Sequence, residues 1–166
     1  EIESYNFTTI HQLNTVPKSD SPKDITDSVG KTTSIFSDFW NNNTFDLVFA
    51  LGDRYEMFAA VSAGSLFNVN FAHVHAGETT LGAIDNAYRH AISLFSKQLF
   101  VSTDTYKTRA EELVEKGAII PFIIRICISI SFLTILNIAI KVSFSDGAYI
   151  APIICIRIPI SKGVTI

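Results

Sequence analysis

The chain has 166 residues, of which 48% are hydrophobic and 17% are charged, and its formal net charge at pH 7 is −3. This length is sufficient for one domain with a substantial core. The small net charge and the lack of a basic cluster argue against nucleic-acid binding, which needs Lys and Arg side chains facing phosphates.

The predicted elements alternate between helix and strand along residues 25–116. An apolar stripe predicts a helix over 25–43, a short apolar run predicts a strand over 47–51, and a segment rich in small residues predicts a helix over 55–67. Further strands are expected at 69–74 and 99–101, and further helices at 83–96 and 104–116. The last helix has Ser102 or Thr103 as its N-cap and Gly117 as its stop. This alternation predicts an α/β fold with a parallel, right-handed sheet and flanking helices.

The composition changes at Gly117. Residues 1–117 hold 6 isoleucines and 9 Lys+Arg against 15 Asp+Glu, whereas residues 118–166 hold 17 isoleucines and 4 Lys+Arg against a single Asp. We therefore predict a patterned domain over 1–117 and an Ile-rich tail over 118–166, in which residues 126–132 alternate like a strand. Cys127 and Cys155 lie in the tail without metal-ligand spacing. A disulfide between them is one interpretation, and buried thiols are the one that we prefer.

Two features of the sequence bear on the cellular location of the protein. The longest uncharged run of the Ile-rich tail, residues 126–140, has 15 residues, fewer than the roughly 20 needed to span a bilayer. The acidic, polar segment that begins at Glu1 does not have the pattern of a secretory leader. We therefore expect a cytoplasmic protein without a membrane segment.

Ionisable side chains gather where the predicted strands end. Asp53 and Arg54 follow the strand at 47–51, and His75 follows the strand at 69–74. Because the carboxyl ends of neighbouring parallel strands meet at one edge of a sheet, we expect Asp53 and His75 to border one crevice. Carboxylates and an imidazole in one crevice can divide the roles of acid and base.

The loop and helix after the second strand add further candidates. Glu78 lies in the loop, and Asp85 lies near the start of the helix at 83–96, where the helix dipole favours a carboxylate. Arg89 follows Asp85 by four residues and can pair with it on one helix face. His90 is the next residue.

Each candidate also has a structural interpretation. Asp53 and Arg54 can form a surface ion pair at a turn. His73 and His75 share a face by the alternation of a strand, and one of them can be a hydrogen-bonded core histidine. An Asp85–Arg89 pair can be a solvated helix stripe, and His90 can belong to the core or to the helix surface.

Four segments carry a resemblance to a known family. They read LGDRYE at 51–56, AHVHAGETT at 72–80, GAIDNAYRHAIS at 82–93 and LFVSTDTYKTRAEEL at 99–113. In this order and spacing the chain resembles the UDP-N-acetylglucosamine (UDP-GlcNAc) 2-epimerases, in particular their hydrolysing, sialic-acid-type branch. The resemblance implies an incomplete, Rossmann-like N-terminal domain of a two-domain fold of the glycosyltransferase-B type. It does not extend to residues 118–166, and the second domain, which holds most UDP contacts in the family, is not represented.

The resemblance also implies a reaction. UDP is eliminated from UDP-GlcNAc to leave a 2-acetamidoglucal, and water then adds to give N-acetylmannosamine. No metal or redox cofactor is expected, and full-length members of the family are expected to be homo-oligomers. Because its opposite wall is missing, we expect this chain to be inactive alone.

The family's functional residues map onto the matching positions. Asp53 matches a catalytic aspartate, Asp85 a second acidic residue and Arg89 its arginine partner. His75 stands where several members have Glu, so either His75 or the nearby Glu78 is expected to transfer the proton. In the same motifs, Arg54, Gly77 and His90 are expected to contact the substrate.

Two other classes of function remain open from the sequence. A metal-dependent hydrolase would use His73 and His75 as paired ligands, completed by Asp53, Glu78, Asp85 or His90. A non-catalytic interaction module would use the edge of the sheet and the apolar tail to bind a partner chain.

Overall fold

The computed structural model describes residues 11–117, 122–125, 141–142 and 153–156. In chain order the elements are β1 (Gln12–Leu13), α1 (Pro22–Asn42), β2 (Leu47–Leu51), α2 (Tyr55–Ser65), β3 (Phe71–Val74), α3 (Asp85–Phe95), β4 (Gln98–Val101), α4 (Asp104–Lys116), β5 (Phe122–Arg125), β6 (Lys141–Val142) and β7 (Ile153–Ile156). The predicted alternation of strand and helix between residues 47 and 116 is confirmed.

Within the described residues the main sheet has five strands, in the order β5-β4-β3-β2-β7. The three predicted strands, β2, β3 and β4, are parallel, as expected, and β5, which was not predicted, adds a fourth strand in the same direction. β7 runs antiparallel to β2, with Leu47 opposite Ile156 and Ala50 opposite Ile153. The alternation that predicts parallel pairing ends at α4, so it gave no information on the direction of β7. A separate parallel pair joins β1 to β6.

The largest part of the core lies between α1, α2 and the sheet. Phe36 and Trp40 of α1 meet Phe71 of β3, and Trp40 Nε1 donates a hydrogen bond of 3.0 Å to the Ala60 carbonyl oxygen of α2. A Cβ on Gly64 would lie only 2.5 Å from the Phe71 ring. The small residues of α2 therefore let the helix approach the aromatic cluster closely, as the sequence indicated.

A second cluster forms where α4 packs beside β4. It contains Leu99 and Val101 from the strand and Ala110 and Val114 from the helix, all buried. α4 begins where Thr103 Oγ1 accepts the backbone N–H of Tyr106 at 3.2 Å, so Thr103 is the N-cap. Its C-cap is Gly117, which confirms the predicted end of the helix. The start of α4 is thus fixed beside the carboxyl end of β4.

Several predicted boundaries shift by a few residues. α1 begins at Pro22 rather than at residue 25, because Ser21 caps it by accepting the Asp24 N–H and Pro22 suits the first helical position. α2 ends at Ser65 because the chain turns into Asn68, which has a φ of 55°. The strand-like segment at 126–132 and Cys127 lie outside the described residues. Cys155 is buried beside β2, as predicted for a thiol.

Within the part of the chain that the structure describes, no helix combines the length and the apolar character required to cross a membrane.

Candidate active site

The turn that follows β2 holds Asp53 at the carboxyl edge of the sheet. We call residues 52–54 the Asp53 turn. Gly52 has a φ of 88°, a conformation that favours glycine, and its N–H donates to the Val74 carbonyl oxygen at 3.3 Å. The Gly52 carbonyl oxygen accepts a hydrogen bond of 2.8 Å from His73 Nε2. The backbone before Asp53 is therefore tied to β3 on both its donor and its acceptor.

Asp53 forms an ion pair with Arg89 of α3. Arg89 Nη2 donates to Asp53 Oδ2, and the two side chains are 7% and 23% exposed. Arg89 Nη1 also donates to Asn86 Oδ1 at 3.4 Å. The predicted pairing of Arg89 with Asp85 is wrong: the guanidinium turns toward the sheet, where ionic attraction is less screened than on a solvated helix face. One partner of this ion pair, Arg89, thus lies on helix α3, and the other, Asp53, lies in the turn after strand β2.

His73 is a hydrogen-bonded core histidine that supports this turn. Its ring is fully buried, and Nδ1 lies 2.9 Å from the Ser93 hydroxyl oxygen. Because a carbonyl oxygen only accepts, Nε2 carries the proton that binds Gly52, and Nδ1 accepts from Ser93. Burial lowers the pKa of His73 to about 4, so the ring is neutral at neutral pH. The structural interpretation of one histidine is thus confirmed for His73.

These contacts argue against the paired-histidine metal site. Both ring nitrogens of His73 are engaged in the protein, which leaves neither for a metal ion. Strand geometry ends at Val74, and His75 has a φ of 69°, so the alternation that would place both rings on one face does not reach His75. Within the described residues, no three His, Cys, Asp or Glu side chains are grouped so that they could hold a metal.

The loop after β3 carries the second group of candidates. We call residues 75–84 the His75 loop. His75 Nδ1 lies 2.9 Å from Glu78 Oε1, and the Ser102 hydroxyl donates to the same oxygen at 3.1 Å. His75 is 44% exposed and Glu78 is 25% exposed, so this cluster is open to solvent. Ser102 directly follows β4, and the cluster therefore joins the carboxyl ends of two neighbouring strands.

Contacts at both ends hold the His75 loop. Gly77 has a φ of 73°, a Cβ there would lie 2.2 Å from the Tyr106 carbonyl oxygen, and its own carbonyl oxygen accepts from Arg109 Nη1 at 2.8 Å. Farther along, Asn86 Oδ1 accepts the Thr80 N–H at 2.9 Å, and Asn86 Nδ2 donates to the Thr80 carbonyl oxygen at 2.5 Å. Asn86 thereby connects the loop to Arg89.

The remaining predicted residues differ in their positions. Asp85 is the first residue of α3 and is half-buried, as expected for a carboxylate at a helix start. Arg54 pairs with the buried Glu56 through bonds of 3.2 and 3.3 Å instead of with Asp53, so the expected Asp53–Arg54 pair is wrong. Glu56 lies within hydrogen-bond distance of the Arg54 guanidinium, whereas the Asp53 carboxylate is already bound by Arg89.

His90 lies on α3 beside Arg89. It is half-buried, and within the part of the chain that the structure describes its Nε2 is a buried atom without a hydrogen-bond partner. Burial lowers the pKa of His90, and the nearby positive charges of Arg89 and Arg109 lower it further. The ring is therefore neutral near neutral pH.

Four residues of the site were not expected from the sequence, namely Glu56, Asn86, Ser93 and Ser102. Asn86 stands inside the AIDNAYRH segment, so its closeness to Asp85 and Arg89 was a usable signal. Ser93 and Ser102 gave none, because a serine on a helix or after a strand has no pattern that distinguishes it from a solvated one.

The fold and the side chains at the carboxyl edge of the sheet define the class of protein: an α/β protein with a ligand site that contains acid–base groups. A parallel α/β sheet brings a carboxylate–guanidinium pair and an imidazole–carboxylate cluster to the carboxyl ends of β2, β3 and β4. Such edges are where open α/β sheets bind ligands, and these side chains are suited to moving protons.

Comparison with known proteins places the chain within that class. The model of the UDP-N-acetylglucosamine 2-epimerase family matches residues 3–121. The chain therefore belongs to the UDP-N-acetylglucosamine 2-epimerase family, as its motifs indicated.

Two relatives are similar in sequence over part of their length. Polysialic acid biosynthesis protein P7 of Escherichia coli is 40% identical over 115 residues, which are 69% of this chain and 29% of the relative. The GDP/UDP-N,N'-diacetylbacillosamine 2-epimerase (hydrolyzing) of Campylobacter jejuni is 43% identical over 89 residues, which are 54% of this chain and 23% of the relative. The chain thus spans less than a third of these relatives.

A solved structure shares the fold. The UDP-GlcNAc 2-epimerase from Neisseria meningitidis bound to UDP-GlcNAc superposes with a TM-score of 0.51 and 22% identity, over 63% of this chain and 29% of that one. The expected partial fold of the glycosyltransferase-B type is thereby confirmed.

Proposed function

We propose that this chain supplies the acid–base wall of a hydrolysing UDP-GlcNAc 2-epimerase, which converts UDP-GlcNAc and water into N-acetylmannosamine and UDP. The observation that carries the proposal is the contact between Asp53 and Arg89 at the carboxyl edge of the sheet. Both lie within the segment matched by the family. A relative named as a hydrolysing epimerase and a fold neighbour that binds UDP-GlcNAc support the choice of reaction and substrate.

The reaction has two balanced steps. In the first, a base takes the C2 proton, the C–H electron pair forms the C1=C2 double bond, and the C1–O bond breaks with its electrons leaving on UDP. In the second, water adds its oxygen to C1 while C2 receives a proton on the opposite face. Each step needs an acid or base within hydrogen-bond reach of the sugar.

The side chains at this edge fit these needs. In our proposal Asp53 and Asp85 are acid–base groups, and Arg89 orients Asp53 and offsets the negative charge of the departing UDP. His75 and Glu78 supply the remaining proton transfer. Arg54, Gly77 and His90 border the substrate.

The chain represents one wall of a cleft. The relatives are more than three times as long as the matched segment, and a site open on one side does not exclude water or fix the sugar. We therefore propose that the chain is inactive alone. A cytoplasmic location and a homo-oligomeric complete enzyme belong to the same proposal.

A chimera tests the function directly. The 115-residue matching segment of polysialic acid biosynthesis protein P7 of Escherichia coli is replaced by the corresponding residues of this chain, and UDP release from UDP-GlcNAc is measured, with release by the unmodified relative as the reference. We expect release by the chimera, and a loss of about a hundredfold or more when Asp53→Asn removes an acid–base group. A folded chimera without release, or release that Asp53→Asn leaves unchanged, would contradict the proposal.

The isolated 166-residue chain is the second sample. We expect no UDP release from it. Robust release that depends on Asp53 would show that one wall is sufficient and would contradict the proposed inactivity.

A further inference from the structure

The cluster of His75, Glu78 and Ser102 assigns different roles to its members. Glu78 Oε1 lies 2.9 Å from His75 Nδ1 and 3.1 Å from the Ser102 hydroxyl. A carboxylate only accepts hydrogen bonds, so Nδ1 of the imidazole carries the proton in this contact. In the neutral ring the lone pair then resides on Nε2.

The exposed fractions of the His75 and Glu78 side chains support the same assignment of roles. His75 is the more exposed partner at 44%, against 25% for Glu78. The Glu78 oxygen near His75 is already bound by two groups, whereas Nε2 of His75 is the ring atom that this contact leaves for a ligand. Of the two candidates for proton transfer, His75 therefore presents the basic atom.

The residues that hold the His75 ring are themselves fixed to the sheet and to α4. Ser102 directly follows β4, and Gly77, between His75 and Glu78, is bound through its carbonyl oxygen to Arg109 of α4. A carboxylate that holds Nδ1–H fixes the orientation of the ring and stabilises the imidazolium that forms when Nε2 gains a proton.

We propose that His75 Nε2 takes the C2 proton of the nucleotide sugar, and that Glu78 and Ser102 are positioning residues that hold its tautomer and orientation. This inference rests on the proposed function. In the step, the C2 proton bonds to Nε2, the C–H electron pair becomes the C1=C2 double bond, and UDP leaves with the electrons of the C1–O bond.

The test is the tautomer of each histidine in the 166-residue chain labelled with ¹⁵N-histidine, read by NMR at alkaline pH. We expect His75 to be protonated on Nδ1, and His73 to be protonated on Nε2, because its Nε2 donates to a carbonyl oxygen. His73 is thus an internal reference with the opposite tautomer. Signals are assigned with the variants His73→Gln and His75→Gln.

Variants separate the role of Glu78 from a general structural effect. In Glu78→Ala, His75 is expected to revert to the Nε2–H tautomer that free imidazole prefers, while His73 is unchanged. In Glu78→Gln, the amide oxygen can still accept, so Nδ1–H is expected to persist. Glu112→Gln, an exposed change on α4, is the matched control and leaves both rings unchanged.

The chimera described above, which supplies the opposite wall, is then labelled with ¹⁵N-histidine and ¹⁵N-arginine and titrated with UDP-GlcNAc, with Asp53→Asn added so that the sugar is not consumed. We expect the Nε2 signal of His75 to shift more than that of His73. Nε2–H in the unmodified His75, or a tautomer that Glu78→Ala does not alter, would overturn the inference. Shifts at Arg89 without any at His75 would overturn it and leave the proposed function standing. A titration that shifts neither residue would overturn both.

Discussion

The Asp53 turn and the His75 loop face the same edge of the sheet, but different forces hold them. The Asp53 turn is fixed by buried side chains of other elements, since His73 binds the Gly52 carbonyl oxygen and Arg89 binds the Asp53 carboxylate. The His75 loop depends on backbone conformation, with left-handed φ values at His75, Gly77 and Gly82. Its ionisable side chains remain partly exposed.

This difference indicates a division of labour. A charged group held in a buried network keeps its position, which suits a group that is presented to a substrate in a fixed orientation. A partly exposed imidazole on a fixed loop can reach a ligand and exchange a proton with it. The following predictions test whether the two regions are held as differently as their contacts indicate.

The largest effect is expected in the His75 loop from Gly77→Ala. The new Cβ would lie 2.2 Å from a backbone atom, the Tyr106 carbonyl oxygen, in a residue that also has a φ of 73°. Strain and overpacking together should lower the free energy of unfolding, measured by urea denaturation, by about 4 kcal/mol. Gly82→Ala is the matched control, because Gly82 has the same φ and, among the described residues, no atom lies within 4 Å of the new Cβ. It should cost about 1 kcal/mol. Equal losses would show that the contact with α4 does not hold the loop.

The next effect is the dependence of stability on pH that His73 imposes. The pKa of His73 falls from 6.5 to about 4 in the folded protein. Between these two values His73 is protonated in the unfolded chain and neutral in the folded chain. Stability therefore falls as the pH drops from 6.5 toward 4, by about 3 kcal/mol in total, and changes no further below that range.

Urea denaturation of the chain and of His73→Gln across this range measures the effect. The variant should be less stable at pH 7 but should lose less stability on acidification. His11→Gln, which alters a half-buried ring outside the site, should keep the slope of the unmodified chain. Parallel curves for the chain and His73→Gln would refute the buried, neutral state of His73.

A smaller loss is expected when the ion pair of the Asp53 turn is broken. Arg89→Met removes the partner of a carboxylate that is 23% exposed, so the remaining charge is only partly hydrated. We expect a loss of about 2 kcal/mol, below the 3–5 kcal/mol typical of fully buried pairs. The double variant Asp53→Asn with Arg89→Met should recover part of this loss. A double variant as unstable as the sum of its single changes would show that the two groups are not coupled.

The smallest pair of effects compares one hydroxyl from each region. Ser93→Ala removes the buried donor to His73 Nδ1 and should cost about 1.5 kcal/mol, because the nitrogen loses its partner away from water. Ser102→Ala removes a donor to the partly exposed Glu78, which water can replace, and should cost about 0.5 kcal/mol. The ratio of the two losses in urea denaturation measures how far burial distinguishes the regions, and a ratio of one would remove the distinction.

The sequence predicted the elements well because the signals for them are local. The bounds of β2 and α4 agree with the prediction, since an apolar run between turn residues and a capped helix are each encoded within a few neighbouring positions. The antiparallel direction of β7 was not predictable, because its pairing with β2 spans more than 100 residues and leaves no pattern in either segment.

The site shows the same limit. The sequence identified Asp53 and Arg89 but assigned Arg89 to Asp85, because the spacing of four residues is a local rule. The observed pair joins a strand end to a helix 36 residues later. Likewise, the roles proposed for His75 and Glu78 rest in part on Ser102, which reaches Glu78 only after the sheet has formed. Contacts between elements could be predicted only from the family resemblance or from the fold.

The position of β7 has a consequence for association between molecules. β2 leads into the Asp53 turn, and it has β3 on one side and β7 on the other. An unpaired strand at that border would present a row of unsatisfied amide groups that a second molecule could extend by edge-to-edge aggregation. Four residues of the Ile-rich tail, Ile153–Ile156, thus shield the strand next to the site from adding a foreign strand.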